Sequence, residues 1–131
     1  MWDPANCSTI ILLKRKMAKQ RHSKHDRIIA DLEKRLRASD RYALVLSNIE
    51  YRVNNHFGEC DLFGIRRDCD AAFVFEVKTT NSSKARSKAY RQIDKDIDYI
   101  WEHYSPEKVF GFYVYGVKGA QFYEVQRVRT P

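Results

Sequence analysis

The sequence predicts an α/β domain in which helices cover a β-sheet. Two segments with apolar residues at helical spacing alternate with strand-like runs, in the order helix, two or three strands, helix, two strands. Helix stripes and sheet faces both have to be buried, and packing one on the other is the economical solution. The 131 residues are 44% hydrophobic and 13% aromatic, with five Gly and three Pro, which predicts one domain with a real core rather than a disordered chain.

The first helix is predicted to begin at Ser23, a capping residue type, and to carry the stripe Ile28, Ile29, Leu32 and Leu36 until Ser39-Asp40. Tyr42 to Ser47 reads as a strand, and Ile49 to Val53 either continues it or forms a neighbour. Asn54-Asn55-His56 reads as a turn, with His56 as an exposed loop residue. Gly58 to Arg66 and Ala71 to Thr79 read as a hairpin whose loop is Arg67 to Asp70. Asn81-Ser82-Ser83 caps a second helix, Lys84 to Tyr104, with the stripe Ala85, Ala89, Ile93, Ile97, Ile100, Trp101 and Tyr104 expected in the core, and Pro106 marks its stop. Strands at Lys108 to Tyr115 and Gln121 to Val128 follow, separated by a turn with Gly116 and Gly119.

The net charge of +7 calls for a polyanionic partner. No apolar span is long enough for a membrane, and Ile10 to Leu13 precedes its basic cluster, the reverse of a signal peptide. Three cysteines at irregular spacing read as reduced thiols, hence a cytoplasmic protein, with bacterial, archaeal or viral origin open. With no C-x-x-C and no His pair at ligand spacing, zinc is not expected. Residues 1–22 read as a basic arm ahead of a single domain at 23–131; Lys14, Arg15, Lys16, Lys19, Arg21 and Lys24 either lie along phosphates or are simply solvated.

The chemistry concentrates between Gly58 and Thr80. Asp61 interrupts an apolar run, and Glu76-Val77-Lys78 ends a second one. Alternation puts Val74, Glu76 and Lys78 on one face of their strand, with Phe73, Phe75 and Val77 on the other; on the earlier strand Glu59, Asp61 and Phe63 share a face. Pairing Asp61 with Glu76 centres the hairpin between positions 68 and 69, where the turn residues are. Facing carboxylates repel, and Lys78 cannot neutralise both. A divalent cation can, and oxygen donors favour Mg2+ or Mn2+. Such an ion activates water for phosphodiester hydrolysis, with Lys78 orienting that water or balancing charge on the phosphate. The competing reading is an ordinary ion-pair network at a strand end.

This constellation resembles the PD-(D/E)xK nuclease superfamily through Gly58-Glu59-Cys60-Asp61-Leu62 and Phe75-Glu76-Val77-Lys78, and the element order over residues 23–116 is similar to that family's core. The resemblance implies a three-layer α/β/α restriction-endonuclease-like fold with a central mixed β-sheet, and a Mg2+-dependent (or Mn2+-dependent) endodeoxyribonuclease that hydrolyses DNA. It implies that Asp61, Glu76 and the Val77 carbonyl bind metal and that Lys78 is the catalytic lysine. Size and order resemble archaeal-type Holliday junction resolvases, which adds branched or structured DNA as substrate and a homodimer. In them an acid of the first helix joins the site; Asp26 matches it, with Glu33 as second candidate. Gln92 matches a glutamine of the second helix, and Glu59 is either an outer ligand or a surface residue. Two departures are Cys60 in place of the proline before Asp61, and a long segment between the first helix and Asp61.

The second helix carries Lys84, Arg86, Lys88, Arg91 and Lys95 near its start, where the helix dipole disfavours cations. Phosphate contact is one use for them and a solvated basic face the other. The alternative function is a catalytically inactive nucleic-acid-binding accessory module of the same fold. A third is a basic interaction domain that engages protein or RNA through the aromatic late strands.

Overall fold

Ser23 caps the first helix as its residue type predicts. Its Oγ accepts from the Asp26 N–H at 3.1 Å, and helix α1 runs Lys24–Ala38. The structure is a computed structural model that describes residues 14–15, 23–53, 56–68, 70–104, 106–117 and 123–129. Its other elements are β1 (Lys14–Arg15), β2 (Tyr42–Val53), β3 (His56–Arg66), β4 (Ala71–Lys78), α2 (Ser83–Tyr104), β5 (Lys108–Gly116) and β6 (Tyr123–Arg129). Ser82 caps α2, accepting from Ala85 N–H at 3.1 Å.

The strands form one mixed sheet in the order β1-β2-β3-β4-β5-β6. All neighbours are antiparallel except β4 and β5, which are parallel and joined through α2. Each helix covers one face. Ile28, Ile29 and Leu32 of α1 pack on Val45, Leu62, Phe75, Val77 and Val114. Ala89, Ile93, Ile97 and Ile100 of α2 pack on Phe63, Ile65, Ala72, Val74, Val109 and Tyr113. The chain is therefore α/β with a helix on either side of the sheet. At Gly111 of β5 helix α2 comes so close that a Cβ would sit 2.4 Å from Ile93 Cγ2.

Several sequence expectations need correction. Of the two readings of Ile49 to Val53 the structure has the continuation, so Tyr42–Val53 is one strand of 12 residues. It continues because Asn48 takes a left-handed backbone (φ 54°), a conformation that asparagine tolerates. His56 opens β3 instead of lying in a loop. Trp101 is 45% exposed and outside the core. At about 100° per residue, Trp101 falls about 120° round the helix from Ala89, past the buried stripe, whereas Asp96 falls about 20° from Ala89 and inside it. Ahead of residue 23, Lys14 and Arg15 pair with Glu50 and Ile49 of β2. Lys16, Lys19 and Arg21 lie outside the described residues.

The shared face of Glu59, Asp61 and Phe63 also fails. Cys60 and Phe63, three residues apart, belong to the same core cluster while Leu62 belongs to the other. Strict alternation forbids that, so the pleat reverses between them. The partner strand reverses at the same level, with Leu46 and Ile49 both packed on the α2 side. Asn48 sits at that reversal, in the ladder step between Ser47↔Leu62 and Ile49↔Cys60.

Candidate metal centre

Between β3 and β4 the ladder runs from Ile65↔Ala72 to Leu62↔Phe75 and stops. The register is the one that sets Asp61 across from Glu76. On its other side β4 stays paired with β5 as far as Lys78↔Tyr115. At the step where β3 and β4 part, the Asp61 side chain takes over: its Oδ2 accepts the Val77 N–H at 2.8 Å. The N–H and C=O of a strand residue point to the same side. The Val77 carbonyl therefore faces the same opening as Asp61.

Helix α1 delivers a group that the sequence did not flag. His25, in its first turn, brings Nε2 to 3.5 Å from Asp61 Oδ2 and Nδ1 to 3.6 Å from Asp26 Oδ1. Hydrogen bonding to the Asp61 carboxylate raises the His25 pKa above its usual value, against the opposing effect of burial.

Glu76 is only 4% exposed and stands between two other acids. Burial, then Asp61 and then Asp96 push its carboxyl well above the usual range. Asp96 projects from the buried stripe of α2 and is 1% exposed. Its Oδ1 accepts from the Tyr51 hydroxyl and from Gln92 Nε2, the latter at 2.9 Å. Burial pushes the Asp96 carboxyl up to about 7, despite hydrogen bonds from Tyr51, Glu76 and Gln92 that pull it down. Tyr51 is itself fixed by stacking on Tyr99, with ring centroids 4.2 Å apart. Apart from a proton that the two acids can share with each other, Glu76 Oε1 and Asp96 Oδ2 are buried and receive no donor from the described residues. Two carboxylates within reach of each other and lacking a donor need either a shared proton or a cation.

His25, Asp61 and Glu76 open onto a cavity of about 530 Å³. Asp61, Glu76, Lys78, Glu59 and His25 form its inner wall, while Lys88, Arg91, Gln92 and Lys95 of α2 line it from the helix. The amide of Gln92 reaches the Glu59 carbonyl at 2.6 Å, and Lys95 Nζ donates to the Phe57 carbonyl. The oxygen-rich inner wall and the undonated Glu76 Oε1 fit a hard divalent cation held by Asp61, Glu76 and the Val77 carbonyl.

Of the residues singled out in the sequence, Asp61, Glu76, Lys78, Glu59, Gln92, Lys88 and Arg91 come together at this cavity, and Val77 lies beside it. Asp26 stands one step back, behind His25, with its Oδ2 buried and undonated. Glu33 does not join the site: it lies two turns further along α1 and pairs with Arg37 at 3.1 Å. Lys84 and Arg86 are exposed at the start of α2 and do not line the cavity. Lys24 lies over Gly116, and Lys14 and Arg15 are in β1. The sequence reading missed His25, Asp96, Tyr51 and Cys60. Asp96 had a readable signal, an acid inside a helix's apolar stripe; the other three are ordinary residue types until the fold brings them in.

Among the described residues no helix is long and apolar enough to cross a membrane. Comparison with known protein families, with characterised proteins and with solved structures finds no match for this chain.

Proposed function

We propose that this chain is a Mg2+-dependent or Mn2+-dependent nuclease that hydrolyses DNA phosphodiester bonds. One observation carries the reading: the Asp61 and Glu76 carboxylates meet where β3 and β4 part, with Lys78 in the same cavity and a cationic helix face opposite.

Asp61, Glu76 and the Val77 carbonyl would hold the ion, which supplies Lewis-acid polarisation of a phosphate oxygen and a bound water of lowered pKa. His25 and the Val77 N–H fix the orientation of the Asp61 carboxylate. Lys78 faces the cavity two residues after Glu76, where its ammonium stabilises negative charge developing on the phosphate. Lys88 and Arg91 contact the backbone phosphates of the bound strand. Such contacts carry no base information, so binding is driven by charge and weakens steeply with salt. Branched or structured DNA as the preferred substrate, and a homodimeric assembly, come from the resemblance to junction resolvases.

The test is cleavage of linear, flapped and four-way DNA in Mg2+, Mn2+ or EDTA. Asp61→Asn and Glu76→Gln should abolish cutting while retaining DNA binding in EDTA. Lys78→Ala should slow turnover by about 10²-fold or more with little change in metal affinity. Full activity of the Asp61 or Glu76 variant removes that residue from the site. A wild-type protein that binds DNA but cuts none of these substrates in either metal is the inactive accessory module instead.

A further inference from the structure

Behind the cavity, Glu76 also lies beside Cys60 and Asp96. Cys60, Glu76 and Asp96 each offer a ligand atom, and those atoms lie within 4.8 Å of one another. All three side chains are at least nine-tenths buried, at 4%, 4% and 1% exposure. They come from β3, β4 and α2, so no spacing rule applied to the sequence joins them. We propose that these three residues form a second cation site, suited to a borderline-soft divalent ion such as Zn2+ or Co2+, distinct from the oxygen-lined site at Asp61.

Three features of the structure support this. The first is what the carboxylates lack. Tyr51 and Gln92 both donate to Asp96 Oδ1, which leaves Oδ2 buried and without a donor. Glu76 Oε1 is in the same condition. Donors on one oxygen and none on the other are how outer partners orient a carboxylate ligand. The second is the sulfur. Cys60 is a free thiol whose Sγ donates to the Leu62 carbonyl at 2.9 Å, so it is positioned and unengaged in a disulfide. Burial and the neighbouring carboxylates push the Cys60 thiol up, so an ion binding here displaces its proton, and sulfur beside two carboxylates then shifts preference from Mg2+ toward zinc-like ions. The third is space. A small void of about 10 Å³ adjoins Cys60 and Asp96, with Tyr51, Ile49, Phe63, Val74 and Ile100 as the rest of its lining. It gives two of the three ligands room to adjust around an ion. Glu76 is common to both sites, so a soft ion held here competes with the Asp61 site for its carboxylate.

Co2+ reports on the site directly, because a thiolate ligand gives a near-ultraviolet charge-transfer band and tetrahedral coordination gives intense visible bands. The full chain, freed of metal with EDTA and kept reduced, is titrated with Co2+ by absorption. Wild type should develop both features with one equivalent. A Cys7→Ser/Cys69→Ser variant should do the same, because the other thiols are not involved. Cys60→Ser should lose the charge-transfer band. Asp96→Asn, with all thiols intact, should weaken Co2+ binding by at least 10-fold. Absence of the band in wild type, its survival in Cys60→Ser, or unchanged affinity in Asp96→Asn each overturns the proposal. Should Cys60→Ser fail to fold, the Asp96→Asn affinity alone decides. The readout needs no DNA and no cleavage, so it stands or falls independently of the nuclease reading.

Discussion

Replacing Asp96 by asparagine tests the electrostatics of this corner most directly. Without metal, burial holds the Asp96 carboxyl at about 7, against 3.8 for an ordinary aspartate. A raised folded-state pKa means that the native protein grips the proton more tightly than the unfolded chain. The associated stability is complete below the unfolded value and is lost as pH rises through the folded one. The loss runs at about 1.4 kcal/mol per pH unit. Between pH 5 and pH 8 the group spends about two units on that slope, so wild type should lose on the order of 3 kcal/mol there, a loss that belongs to the Glu76–Asp96 pair titrating together. Asp96→Asn has the same shape and cannot ionise. Its amide oxygen still accepts from Tyr51 and Gln92, and its NH2 supplies the donor that Glu76 Oε1 lacks. In EDTA, urea unfolding should show the variant losing about 3 kcal/mol less than wild type between pH 5 and pH 8, with m unchanged. The variant should also be the more stable protein at pH 8. Parallel pH profiles for the two would refute the assignment of a buried, ionisation-resisting pair.

Three other outcomes are expected. Gly111→Ala drives a methyl into Ile93 of α2, 2.4 Å away, and should cost about 1–3 kcal/mol, read as a lowered Tm. Leu62→Ala empties a fully buried position under α1 and should cost about 2–5 kcal/mol in urea unfolding. Lys88→Ala and Arg91→Ala should each weaken DNA binding to all sequences alike and reduce the slope of log affinity against log salt by about one, measured by fluorescence anisotropy in EDTA.

Much of this layout was legible in the sequence because local signals agreed with one another. Ser23 and Ser82 cap the helices at the positions that their residue type marked. Turn residues near Asp68 set a register that puts Asp61 opposite Glu76, and alternation correctly puts Phe75 and Val77 on the face opposite Val74, which in the fold is the α1 side. What stayed hidden depends on departures from ideal repeats or on long-range approach. The pleat reversal needs the left-handed turn of Asn48, which no apolar pattern announces. Trp101 looked like core because it is large and close to the stripe, yet helical rotation carries it past the edge. Asp96 occupies a core position that an apolar template skips over. His25 acquires its neighbour only when the start of α1 is laid across β3.

The parting of β3 from β4 carries a mechanical consequence. Because β5 keeps its grip on β4 through Lys78, the last three residues of β4 are anchored from behind while their front is left unzipped. The chain gives up two or three ladder contacts at one corner and obtains a rigid notch there, with a main-chain carbonyl as part of its wall. Slippage of β3 would break the one bond that bridges the notch where the ladder stops, from the Val77 N–H to Asp61 Oδ2.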